Sequence, residues 1–336
     1  MTKLRVLVLG ATGYIGSAIA EALRRAGHDV WCLVRAKDTL AASQLHQRGC
    51  RLFVGDVKDS ATWIKLADKA NAIVFATNLR GDDITTLIEH RANKDLSASA
   101  EEPHLAHIVL NKTIVYTSGC LVYGADTSKN LIDENSPLSP LAFVSWRPKI
   151  ERNLLSVAKE GTYFGRVVVI RPGFLYGLQG GYLEAFRSYT EHRTAEVVGG
   201  GDNFIPTVHA EDLADLYVRA VENPSASGCY NACSDSNDSY YSIIESTARA
   251  AAGGQLDISI QHRTPNPSNV MDQMLKVDLF VSSDRARSEL GWTHRHLSIV
   301  EEADLHFESW KAFRAQQAFF DAAARGSSSI SPVHGH

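Results

Sequence analysis

The chain opens on a short apolar run, residues 4–9, interrupted only by Arg5 and dense in Leu and Val. A run of this length and composition predicts a strand buried on both faces, as in a parallel sheet. After Gly10 the period changes, and Ile15, Ile19 and Leu23 fall on one face of a helix expected over 17–25. The alternation then repeats. Residues 29–34, a third run ending near Val54, and residues 72–78, 112–117 and 167–173 read as further strands. Helical spacing recurs over 61–70, over 84–100 (Ile84, Leu87, Ile88, Leu96) and in the segment that carries Lys149. Strands alternating with helices predict an α/β fold with a doubly wound parallel sheet.

The first strand and helix enclose Gly10-Ala11-Thr12-Gly13-Tyr14-Ile15-Gly16. Strand, glycine turn and helix in that order form the Rossmann dinucleotide signature. Gly10 permits the tight turn, Gly13 lets the backbone approach a pyrophosphate, and Gly16 lets helix and strand pack closely. The helix N-terminus then offers N–H groups and the positive dipole end to phosphate, with Thr12, Tyr14 and Ile15 in the same turn. The end of the second strand faces the adenosine ribose, where an acidic residue suits NAD. Here Arg35 stands in that place with Lys37 just beyond. A cation pairs with a 2′-phosphate, so NADP is expected over NAD, although a solvated surface Arg is the plain alternative. Asp56 and Val57 follow the third strand and Ala76 and Thr77 end the fourth, at the strand edge where a cofactor would lie.

The glycine spacing resembles that of the extended short-chain dehydrogenase/reductase superfamily, of the NAD-dependent epimerase/dehydratase kind. Later segments continue the resemblance: Arg171-Pro172-Gly173-Phe174-Leu175-Tyr176-Gly177, Val208-His209-Ala210-Glu211-Asp212-Leu213-Ala214, Gly228-Cys229-Tyr230-Asn231-Ala232, and a helix closing on Leu290-Gly291-Trp292. It implies a cofactor domain over 1–175, with Pro172 and Gly173 in the loop over the nicotinamide. It also implies a mainly substrate-binding region over 176–325; the Ser-, Gly- and Pro-rich composition of 326–336 predicts a disordered tail. In such proteins the helix over 84–100 often helps form a homodimer; a single solvated helix fits equally.

The resemblance also implies a Ser or Thr after the fifth strand and a Tyr-x-x-x-Lys on the next helix, which perform the proton chemistry. This chain has no Tyr followed four residues later by Lys. After the fifth strand it reads Thr117-Ser118-Gly119-Cys120-Leu121-Val122-Tyr123-Gly124, with Gly119 at the expected Ser or Thr position. The helix reads Ser145-Trp146-Arg147-Pro148-Lys149-Ile150-Glu151. Lys149, followed by Ile-Glu, is expected to anchor the nicotinamide ribose, with Ser145 four residues earlier in place of Tyr. Pro148 belongs in a helix's first turn or kinks it. Ser118, Tyr123 and Ser145 are the leading substitutes for the missing acid, with Tyr176 and Cys120 behind them.

Three functions fit this pattern: an NADP-dependent reductase or dehydrogenase of a small, apolar or aromatic carbonyl or alcohol; a redox-neutral epimerase, dehydratase or cyclase; and a non-catalytic NADP-responsive binding protein. A formal charge of −4 gives no electrostatic case for nucleic acid or an anionic membrane. No apolar run reaches membrane-spanning length. Five unpatterned cysteines without a signal peptide read as reduced thiols in the cytoplasm, and no metal site is expected.

Overall fold

The structure, a computed structural model, describes residues 2–77, 112–124, 130–159, 165–178, 180–181, 185–236, 238–253 and 258–327. The helix expected over 84–100 and most of the terminal tail lie outside them. The amino-terminal half runs β1 (Arg5–Leu9), α1 (Tyr14–Arg25), β2 (Asp29–Val34), α2 (Leu40–Gln47), β3 (Arg51–Val54), α3 (Ile64–Lys69), β4 (Ala72–Phe75) and β5 (Thr113–Thr117). Then come β6 (Leu131–Ile132), α4 (Arg147–Lys159), β7 (Arg166–Pro172), β8 (Phe174–Tyr176), α5 (Ala185–His192), β9 (Thr194–Val198) and β10 (Thr207–His209). The chain finishes with α6 (Ala210–Glu222), β11 (Gly228–Ala232), α7 (Tyr240–Ala251), β12 (Ser259–Arg263), α8 (Val270–Leu275), β13 (Phe280–Val281), α9 (Asp284–Leu290) and α10 (Ala303–Ser327).

Seven strands form one parallel sheet in the order β11-β7-β5-β4-β1-β2-β3, the Rossmann-type arrangement. The order reverses between β1 and β4, and ligands of such sheets bind outside the carboxyl ends of the strands at that reversal. Alternation along β1 shows why the sheet holds two layers of helix. Val6 and Val8 join one fully buried cluster with Ile19 and Leu23 of α1 and Leu213 and Tyr217 of α6. Leu7 and Leu9 join the opposite cluster with Trp63, Ile150 and Leu154. A third cluster, including Tyr189, Val197, Tyr240, Ile244 and Trp310, forms the smaller carboxyl-terminal lobe around the paired strands β9 and β12.

Some elements differ from the sequence expectation. The helix expected over 61–70 is a 3₁₀ turn at Ser60–Thr62 followed by α3. Asp59 accepts the Ala61 N–H, Thr62 Oγ1 donates to Asp59 O at 2.7 Å, and Trp63 Nε1 donates to Val57 O at 2.9 Å, which anchors the break. Helix α2 was not expected; Thr39 caps it by accepting from Ala42 N. Helix α4 starts at Arg147, so Pro148 sits in its first turn, where no N–H is needed.

Helix α1 lies so close to β1 that a Cβ on Gly16 would fall 2.1 Å from the Gly10 carbonyl oxygen. Since that obstacle is backbone, Gly16→Ala is expected to lower stability by roughly 1–3 kcal/mol, measured as a fall in the urea midpoint at unchanged m.

Candidate functional site

The glycine turn has the geometry of an anion cradle. Gly10 has φ +85°, and a Cβ there would meet Thr77 Cγ2 at 2.4 Å and the Ala76 carbonyl at 2.5 Å. Gly13 caps α1 in extended conformation with no side-chain bond to the helix, and the first turn carries no acid while Arg24 and Arg25 stand in the last. The N-terminal N–H groups and positive dipole end are therefore left for an anionic ligand. Thr77 Oγ1 is buried without a hydrogen-bond partner among the described residues. Such an orphan acceptor-donor and a cradle closed to side chains both fit a dinucleotide. Thr12 and Ile15 are half-buried in the turn, and Tyr14 Oη donates to Gly177 O at 2.7 Å.

The other expected cofactor residues gather on the same edge of the sheet. Arg35 is exposed just beyond β2. Asp56 is exposed after β3 with its Oδ1 accepting from Lys58 N, and Val57 is half-buried beside it. Ala76 and Thr77 follow β4. Pro172 and Gly173 are buried at the end of β7, where a Cβ on Gly173 would meet Pro206 O at 2.4 Å.

The centre after β5 departs from expectation. Ser118 is buried, and its hydroxyl donates to Glu151 Oε1. Glu151 forms a buried ion pair with Arg171, Nη2 to Oε2 at 2.6 Å. Arg171 Nη1 donates to Tyr123 Oη at 2.8 Å, and Tyr123 donates to Asn231 Oδ1 at 2.7 Å. Burial pushes the Tyr123 phenol above its ordinary range. Lys149 and Ser145 are not brought into this network; both are exposed. The helix period explains the outcome: Ile150, Glu151 and Leu154 of α4 point inward, while Lys149, Arg152, Asn153 and Ser156 line its solvent face.

Arg147 is the cation that turns inward. Its Nη1 donates to the Ser118 carbonyl, and a Cβ on Gly119 would lie 2.7 Å from that nitrogen. Sequence reasoning passed over it, although one signal was present. Glu151 stands four residues after Arg147, one helical turn along the same face.

With this geometry in view, the comparisons place the chain. The NAD dependent epimerase/dehydratase family profile matches residues 6–233. The chain belongs to that family. Membership makes it an NAD(P)-dependent enzyme of the epimerase/dehydratase kind. "Epimerase family protein SDR39U1 homolog, chloroplastic" of Arabidopsis thaliana is 25% identical over 239 residues, covering 68% of this chain and 66% of that protein. The "3-diazoavenalumate denitrifying reductase" of a Streptomyces species is 26% identical over 310 residues, covering 88% and 97%. UDP-glucose 4-epimerase from Bifidobacterium longum, solved with NAD+ and UDP, shares the fold with TM-score 0.70 at 19% identity, covering 93% of this chain and 99% of its own. No described helix is long and apolar enough to cross a membrane.

A histidine cluster that sequence reading missed stands behind the cofactor edge of this family member. His209 and His296 stack with ring centroids 3.6 Å apart. His296 pairs with Asp212 at 3.0 Å and with Glu211 at 3.2 Å, and these carboxylates raise it to about 9. Burial lowers His209 to about 4, and its Nδ1 accepts the Glu211 N–H. His209, Glu211 and His296 are near enough for a metal. However, in-plane lone pairs on stacked, nearly parallel rings do not converge on one ion. The cluster is built as an ion-pair clamp joining the 292–297 segment to α6.

Two outcomes are expected. Glu151→Gln strands the buried Arg171 charge and should cost about 3–5 kcal/mol, whereas Lys149→Met on the solvent face should stay within about 0.5 kcal/mol, both read by denaturant melts. The His296 pKa is raised on folding, so its contribution is fully present below about pH 6.5 and is lost as pH rises through about 9. The melting-temperature gap between wild type and His296→Ala should therefore be widest near pH 6 and close above pH ~9.

Proposed function

We propose that the protein is an NADP-dependent reductase of a small carbonyl compound that draws its proton from a source other than a tyrosine at the family position. The observation that carries this reading is a dinucleotide cradle joined to a centre whose buried hydroxyls are already engaged. Ser118 donates to Glu151, Tyr123 donates to Asn231, and Ser145 is exposed. A bound nicotinamide would supply hydride. Net reduction then needs one proton, which water can deliver to an alkoxide. A redox-neutral cycle needs a base that takes a proton from an alcohol and returns it at every turnover. That asymmetry favours reduction, with much of the rate coming from positioning. Arg147 supports the reading as the inward-facing cation near the end of β5, and we assign it the positioning work first expected of Lys149.

Arg35 supports NADP over the NAD of the family's name. It is exposed at the end of β2, where a guanidinium can pair with a 2′-phosphate. A second reading, redox-neutral epimerisation, is favoured by a relative named UDP-glucose 4-epimerase, 26% identical over 331 residues. Small nucleotide-linked ligands are named for the solved neighbours, which supports a small-molecule substrate here. We further assign the protein to the cytoplasm, from its unpaired cysteines.

Wild-type protein is expected to bind NADPH more tightly than NADH by about 1.5–3 kcal/mol, with most of the difference gone in Arg35→Ala, by calorimetry. Equal affinities in the wild type would remove the NADP assignment. Net oxidation of NADPH with deuteride appearing in product would support reduction; unchanged cofactor during turnover would transfer the case to epimerisation.

A further inference from the structure

The carboxyl-terminal lobe contains a cleft of about 670 Å³ between α5, β9, α7 and α8, within the size range of small-molecule sites. Its inner surface is apolar: Tyr189, Val198, Tyr240 and Ile244 are each at most 3% exposed, Leu275 is half-buried, and Met271 stands 55% exposed at the mouth. We propose that this cleft binds the substrate's apolar or aromatic, uncharged body.

Charge decides the ligand class. The cleft's arginine, Arg263, has every guanidinium nitrogen engaged: Nη1 and Nη2 donate to Asp272 at 2.6 and 2.7 Å, and Nε donates to Glu196 at 2.7 Å. Asp272 is buried at 1% exposure, and its Oδ2 also accepts from Asn266 N. Turning Arg263 toward a phosphate would strand that carboxylate, a cost that surface contacts to an anion do not offset. The lining therefore offers apolar area framed by a charge group whose one guanidinium is taken up by two carboxylates. Among the described lining residues no arginine or lysine is left without a carboxylate for a nucleoside diphosphate, whereas a neutral ring or hydrocarbon finds a surface to cover.

The cleft also shares a wall with the cofactor edge. Gly181 lines it, and a Cβ on Gly181 would lie 2.7 Å from Tyr14 Cε1, in the first turn of α1. Tyr14 in turn holds the same loop through Gly177 O. The assignment of the bound molecule as substrate rests on the reductase reading above; the ligand class itself does not.

The test uses Nile red, an uncharged apolar dye, with the full chain. Saturable one-site binding with a blue-shifted emission is expected. Met271→Asp places a carboxylate at the exposed mouth and should weaken dye binding about tenfold or more, with the melting temperature and NADPH affinity unchanged. Met271→Leu should bind like wild type. Uridine diphosphate at millimolar concentration should not displace the dye. Displacement by uridine diphosphate, absence of saturable binding, or equal binding by Met271→Asp would each overturn the proposal. Failure of the wild type to bind NADPH alongside normal dye binding would remove the reductase reading and leave the cleft's ligand class standing.

Discussion

Glu151 is held from two sides in a region closed to water. The Ser118 hydroxyl after β5 donates to one carboxylate oxygen, and the Arg171 guanidinium of β7 pairs with the other. Arg171 continues to Tyr123, and Tyr123 to Asn231 of β11. One carboxylate on α4 thus fixes the carboxyl ends of three neighbouring strands. Removing two charges from water is costly, and the cost is met only when geometry is good and the remaining donors and acceptors are satisfied. This network meets that condition, so the ends of β5, β7 and β11 keep one arrangement relative to α4.

That arrangement sets what is left for chemistry. Groups that could move a proton are tied to each other, and Arg147 is left facing the end of β5 beside Gly119. The two residues are linked by space. A Cβ at 119 would lie 2.7 Å from the guanidinium nitrogen, so a side chain there would push the Arg147 head group from its present place. An arginine keeps its charge across the physiological range and orients through a planar fork of donors. It can hold an anion or an oxygen, but it does not exchange protons as a tuned phenol does.

The cofactor edge and the carboxyl-terminal lobe meet at Tyr14. Its ring packs against Gly180 and Gly181, and its hydroxyl fixes the Gly177 carbonyl. Gly177 in turn leaves room for the His209 ring, whose Nε2 would lie 2.0 Å from a Cβ at that position. Gly177, Gly180 and Gly181 after β8 are therefore packed between the glycine turn and the histidine clamp of α6.

The sheet, the glycine turn of Gly10, Gly13 and Gly16, and the places of Arg35, Asp56 and Thr77 beyond strand ends were legible in the residues, because each depends on local periodicity and turn geometry. The burial and pairing of the side chains after β5 were not. A frame shift of two residues along a helix rotates a side chain by about 200°, and so Lys149 faces solvent while Arg147 faces the core. Choosing between them required knowing that Glu151 meets Arg171, a contact between elements that no local pattern encodes. The clamp of His209, Glu211, Asp212 and His296, and the sequestration of Arg263 by Asp272, were hidden for the same reason. Short-range order follows from the sequence pattern, whereas which charges meet in the interior is decided only when distant segments pack and water is excluded between them.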